Sequence, residues 1–91
     1  MNPGTYKLIR TDGTETMHGG KPTIREIMRL IGCEGLDTVT IDRKQQTVMF
    51  VDDTGMLDRK PVNAKATVLY HAVCEPATVH QIHGDVVIVN D

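Results

Sequence analysis

Residues Gly84 to Asn90 read GDVVIVN, and this run decides the fold. Gly84-Asp85 is a turn pair. Val86-Val87-Ile88-Val89 then has no polar side at all. Successive strand side chains point to opposite faces, so both faces of this strand need cover, from its own sheet or from another subunit. Such a strand belongs in the middle of a sheet. At an edge, a bare VVIV run invites pairing with another chain.

The elements upstream show what lies beside it. Tyr6 to Arg10 is a short strand, and Thr11-Asp12-Gly13-Thr14 contains Asp-Gly, the favoured two-residue hairpin turn with positive φ at both central positions. Glu15 to His18 is the partner strand, and Gly19-Gly20 ends it. Thr23 and Glu26 then form a capping box. In it the Thr hydroxyl accepts from an early backbone N–H and Glu reaches back to the Thr N–H. Ile24, Ile27, Met28 and Ile31 share one face of the helix that follows, and Gly32 stops it.

Leu36 to Asp42 alternates, with Val39 and Ile41 facing one way and Thr38 and Thr40 the other. Arg43 to Gln46 is a polar turn, and Thr47 to Val51 is a nearly continuous apolar strand. These make a second hairpin. Asp52-Asp53-Thr54-Gly55 ends it, and Met56-Leu57 form a brief helical turn. Pro61 disfavours helix at the residue before it. Asn63 is an N-cap for a helix to about Val73, whose apolar stripe is Ala66, Leu69 and Val73 with Val68 and Ala72. Cys74-Glu75-Pro76 stops that helix, and Ala77 to His83 is extended.

Hairpin, helix, hairpin, helix, strand is a single α+β domain over residues 1–91. A small mixed sheet of β-grasp-like arrangement places the last strand centrally, next to the first. The alternative, a ferredoxin-like arrangement, leaves it at an edge.

Composition narrows the function classes. A chain of 91 residues buries about 60–65% of the surface its unfolded form exposes, a thin margin that oligomerisation offsets. With no Trp, one Phe and two Tyr, the core is Val, Ile, Leu and Met. A net charge of −2 with both signs interspersed argues against non-specific nucleic-acid binding, which needs a basic face, and against acidic mimicry of DNA. No apolar run approaches the roughly 20 residues that span a bilayer, and MNPGTYKLIR has no signal-peptide pattern. Cys33 and Cys74 are too few for a disulfide scaffold. These features point to a cytoplasmic protein with two free thiols.

Three constellations carry possible chemistry. Arg59-Lys60 ahead of Asn63, with Lys65 in the first helical turn, places cationic donors beside a helix N-terminus, whose unpaired N–H groups suit an anion. Tyr70 and His71 would stack on a base if they faced the same cleft. The bland alternative is a solvated loop and an ordinary N-cap. Second, His71, Cys74, His80 and His83 have the residue types of a zinc site. In a strand, however, His80 and His83 point to opposite faces. Third, Asp52 and Asp53, with Asp58 beyond, offer carboxylate oxygens to a hard cation, against the simpler role of a strand-ending turn. No nucleophile elbow or phosphate-binding glycine loop is present, and Cys33 reads as a small buried hydrophobe. No cofactor and no catalysis are expected.

Val51 to Ala72, VDDTGMLDRKPVNAKATVLYHA, followed by Ile82 to Asp91, IHGDVVIVND, resembles a family of small phage- and plasmid-borne proteins catalogued as domain of unknown function 3846. The similar parts are Val51-Asp52-Asp53-x-Gly55, Pro61-x-Asn63-x-x-Ala66, and Gly84-Asp85-Val86-Val87-Ile88. Weaker similarity runs through the first hairpin and the capped helix. The resemblance implies a mobile genetic element acting inside a bacterium, and so a host-takeover or anti-defence factor that works by binding. The expected ligand is a small anion of nucleotide type, held in a homo-oligomer. The alternatives are an inhibitor that docks on a host enzyme and a small metal-binding protein.

Overall fold

The computed structural model describes residues 4–42, 44, 46–54, 59–73 and 81–90. Among them the elements follow the expected order: β1 (Thr5–Ile9), β2 (Glu15–Gly19), α1 (Ile24–Ile31), β3 (Leu36–Asp42), β4 (Thr47–Asp52), α2 (Ala64–Val73) and β5 (Val86–Asn90). The five strands form one sheet in the order β2-β1-β5-β4-β3. The last strand is therefore central and next to the first. Its partners are fixed by the registers Leu8↔Val87 on one side and Met49↔Ile88 on the other.

Every pairing is antiparallel, so the sheet is not mixed. The reason lies in the connection from β4 to β5. The chain runs out along α2 as far as Val73, yet by Ile82 it is back beside the first turn of that helix, where Asn63 N–H donates to the Ile82 carbonyl at 2.8 Å. The outward and return paths cancel, and β5 enters from the end where β4 left.

Each face of β5 is covered by a different layer. Val86 and Ile88 join Ile9, Met49, Val51 and Ala66 of α2. Val87 joins Leu8 with Ile27 and Ile31 of α1, and Val89 packs at the edge of that cluster. An apolar strand with no polar side is satisfied because the two helices lie on opposite faces of the sheet.

Local chemistry sets the ends of α1. The Thr23 hydroxyl accepts from Glu26 N–H at 3.1 Å, but it also donates to the Glu26 carboxylate at 3.2 Å, which therefore does not reach the backbone N–H. Gly32 closes the helix in the left-handed conformation (φ 75°, ψ 44°), with its N–H on the Met28 carbonyl at 2.8 Å. A Cβ is disfavoured there by about 1–2 kcal/mol. Gly32→Ala is expected to lower the melting temperature by roughly 4–8 °C per kcal/mol lost, measurable by circular dichroism.

Two local expectations are corrected. The first hairpin does not use a two-residue turn. Gly13 N–H donates to the Arg10 carbonyl and Arg10 N–H to the Thr14 carbonyl, both at 2.9 Å, which makes a three-residue loop, a turn followed by Gly13 at φ 91°. Asp12 accounts for the choice: its carboxylate accepts from the Thr14 N–H at 2.9 Å and the Thr14 hydroxyl at 2.7 Å. Those donors hold the Asp12 carboxyl below the usual range.

The second correction is the rotation of α2. Its buried residues are Ala66 and Thr67, with Leu69 and Tyr70 half-buried, while Val68 is 68% and Val73 44% exposed. A helix that is apolar on nearly every side leaves hydrophobicity no way to choose a face. Polar anchors choose it instead. Asn63 and Thr67, four residues apart, lie on one face; Asn63 bonds to Ile9 and Gly84 carbonyls, and Thr67 accepts from Ile82 N–H at 2.9 Å.

Candidate functional site

The segment before α2 is stitched to the segment before β5. Val62 bridges His83, and Gly84 N–H donates to the Pro61 carbonyl at 2.8 Å. Asn63 sits at the centre, 1% exposed. Its amide nitrogen donates to the Ile9 carbonyl at 3.0 Å and the Gly84 carbonyl at 3.1 Å, and its Oδ1 accepts from Ala66 N–H at 3.1 Å. Asn63 is thus the expected N-cap, but its remaining donors face inward.

The lysines are also engaged within the fold. Lys60 Nζ donates to the Gly32 carbonyl at 3.0 Å and pairs with Asp52 Oδ2. A cation is thereby placed on the C-terminal carbonyl end of α1, where the helix dipole favours it, and beside a carboxylate whose side chain is 0% exposed. Lys65 Nζ donates to the Gly13 carbonyl at 2.7 Å and to Glu15 at 2.6 Å. Arg59 is exposed with a left-handed backbone, φ 58°. Tyr70 turns into a cleft of about 360 Å³ that Asp37, Asp53, Gln81 and His83 also line, and none of Arg59, Lys60, Lys65 and His71 borders it. His71 is exposed in the last turn of α2, its ring 6.0 Å from that of Tyr70 and tilted by 43°. The six residues of the expected anion site are not gathered around one cavity.

Among the described residues no three of His, Cys, Asp and Glu come together as metal ligands. His83 Nδ1 lies 2.9 Å from the Lys60 carbonyl; Cys74 and His80 lie outside the described residues. In the acidic turn, Asp52 Oδ1 accepts from the Thr54 N–H at 3.0 Å and hydroxyl at 3.1 Å. The carboxylates of Asp52 and Asp53 have separate roles, since Asp53 faces Gly35, where an added Cβ would lie 2.7 Å from its oxygens. Gly55 and Asp58 lie outside the described residues, as do Met56-Leu57, Cys74-Glu75-Pro76 and most of the extended stretch expected before His83. Burial opposes ionisation of Asp52, but Lys60 and the Thr54 donors outweigh it and hold the carboxyl below its usual range. Cys33 is half-buried and free; burial, and then the Asp52 charge, push its thiol up, away from the thiolate a nucleophile needs.

A second cleft lies elsewhere. A cleft of about 470 Å³ opens between the second half of α2 and the sheet, with apolar walls from Met17, Ile41, Leu69, Ala72, Val73 and Ile88. Its volume lies in the range of small-molecule pockets. Thr5, Lys7, Asp42, Thr47 and Asn90 supply polar groups around it. Met17 is 61% exposed at the rim of this cleft. Sequence patterning did not mark this site. Two signals were available: Met17 is alone in the polar strand ETMHG, and α2 has no polar face to turn outwards.

No family model, no curated protein and no solved structure matches the chain. Among the described residues, no helix is long and apolar enough to cross a membrane.

Proposed function

We propose that this chain acts by binding, as a host-takeover or anti-defence factor of phage type, and that its binding surface is the 470 Å³ cleft between α2 and the sheet. The partner in this proposal is a host protein that inserts an apolar side chain into the cleft. The supporting observation is the exposure of Met17 and Val73 at the rim of an apolar-walled cavity. Exposed apolar surface around a concavity is a common feature of protein-recognition sites. Capture of a nucleotide-type anion is the weaker proposal, because Lys60, Asn63 and Lys65 spend their donors on the fold.

An anilinonaphthalene sulfonate probe, which fluoresces in apolar clefts, tests the site. Val73→Glu places a carboxylate at the rim and is expected to weaken probe binding by about tenfold, or roughly 1.4 kcal/mol. Val68→Glu, on the exposed outer side of α2 and not bordering the cleft, leaves it unchanged. Equal binding by wild type and Val73→Glu would remove the cleft from the proposal. A nucleotide that raises the melting temperature, with the shift lost in Arg59→Ala, would favour the anion instead.

A further inference from the structure

We propose that the open edge of β2 pairs with β2 of a second copy of this chain, antiparallel and centred on Met17. This goes beyond the cleft and does not depend on what enters it.

The hydrogen bonds that close the first hairpin fix which backbone groups face outwards. Arg10 N–H donates to Thr14 and Gly20 N–H to Gly4, in the register that sets Leu8 opposite Thr16 and Tyr6 opposite His18. In an antiparallel ladder, hydrogen-bonded and non-bonded pairs alternate. Thr16 and His18 therefore turn their backbone groups towards β1. Glu15, Met17 and Gly19 turn theirs to the open edge, and all three are exposed.

That edge is complementary to itself. With Met17 opposite its own copy, Glu15 falls opposite Gly19 and Thr16 opposite His18. All the outward N–H and C=O groups of the strand are then used, about six hydrogen bonds in all. No charge meets its like. The acidic side chain on this strand, Glu15, is neutralised within its own chain by Lys7 at 3.0 Å and Lys65 at 2.6 Å. The Met17 side chains meet on the α2 face at the rims of the two clefts, so each copy adds a wall to the site of the other.

The opposite edge is built differently. Between Thr40 and Asp42 of β3 the register shifts, and the strand carries Asp37 and Asp42. Bulges and charges are the usual devices that keep an edge unpaired. β2 has no proline, lysine or bulge.

A five-residue edge covers less than the roughly 800 Å² per partner of tight complexes, so the expected dissociation constant is in the range of about 1–100 µM. In sedimentation equilibrium the average mass should rise with concentration from 10.1 kDa towards twice that value. Met17→Lys sets two ammonium groups face to face and should weaken the dimer by at least about tenfold. Thr40→Lys, on the β3 edge, should leave it intact. In the wild type, amide exchange at Glu15, Met17 and Gly19 should slow as concentration rises, a readout that needs no variant to fold. A monomer up to about 500 µM, five times the weakest constant expected, would overturn the proposal. So would a dimer unaffected by Met17→Lys, a dimer abolished by Thr40→Lys, or exchange at those amides independent of concentration.

Discussion

Asn63→Asp is expected to leave the protein largely unfolded at neutral pH and to recover partly near pH 4, the reverse of the wild type. The substitution changes one NH2 to oxygen and almost no volume. The oxygen that caps α2 is retained, so Ala66 N–H keeps its acceptor. The other oxygen, however, replaces a donor at 3.0 Å from the Ile9 carbonyl and 3.1 Å from the Gly84 carbonyl. Acceptor then faces acceptor twice, in a site 1% exposed. An ionised carboxylate there loses its hydration without gaining a donor, so the folded pKa rises above the unfolded value of about 3.9. A group raised in this way contributes its stability below the unfolded pKa and loses it as pH rises through the folded one. Asn63→Ala provides the scale. Losing the cap costs about 1 kcal/mol, and each abandoned buried carbonyl about 1–3 kcal/mol. The total approaches the roughly 5–14 kcal/mol available to a domain of this size. Urea denaturation of wild type, Asn63→Ala and Asn63→Asp at pH 4 and pH 7 measures all three. If Asn63→Asp matches wild type at pH 7, Asn63 is not the hub of the molecule.

The same residue shows how far the sequence could be read. Asn63 as an N-cap was legible, because capping uses one residue and its neighbours along the chain. Its bonds to Ile9 and Gly84, 54 and 21 positions away, were not, because they depend on how the sheet and the β4–β5 connection close. The central place of β5 was legible for a robust reason: a strand with no polar side has no stable position at an edge. Strand direction was not, since it depends on Ile82 returning beside Asn63, a contact between residues 19 positions apart. The candidate site divides along the same line. Residue type alone suggested that Arg59, Lys60 and Lys65 await an anion. Where the Lys60 and Lys65 charges go is decided by carboxylates and carbonyls outside the local motif, and the Met17–Val73 cleft joins strands and a helix that no local motif connects.

Lys60→Met tests that division, with an expected loss of about 3–5 kcal/mol, the usual cost of leaving one member of a buried ion pair without the other. Asp52 is wholly enclosed and Lys60 is its cationic partner in the pair. Without the ammonium only the two Thr54 donors oppose burial, so the carboxyl pKa moves up from its wild-type value. The two proteins should then respond to acid differently. In the wild type the lowered Asp52 pKa contributes stability above the unfolded value, about 3.9, and this is lost as pH falls through the folded value. In Lys60→Met the penalty is greatest at neutral pH and is relieved as pH falls towards 4. Asp52→Asn added to Lys60→Met keeps an acceptor for Thr54 and removes the stranded charge. The double variant should recover to within about 1–2 kcal/mol of wild type, and a double-mutant cycle by urea denaturation isolates the coupling. The outcome also bears on function. If Lys60 were held for a ligand, Lys60→Met would cost under about 1 kcal/mol, as exposed ion pairs do, and would instead weaken nucleotide binding. A large stability loss that is relieved as pH falls assigns the residue to the fold.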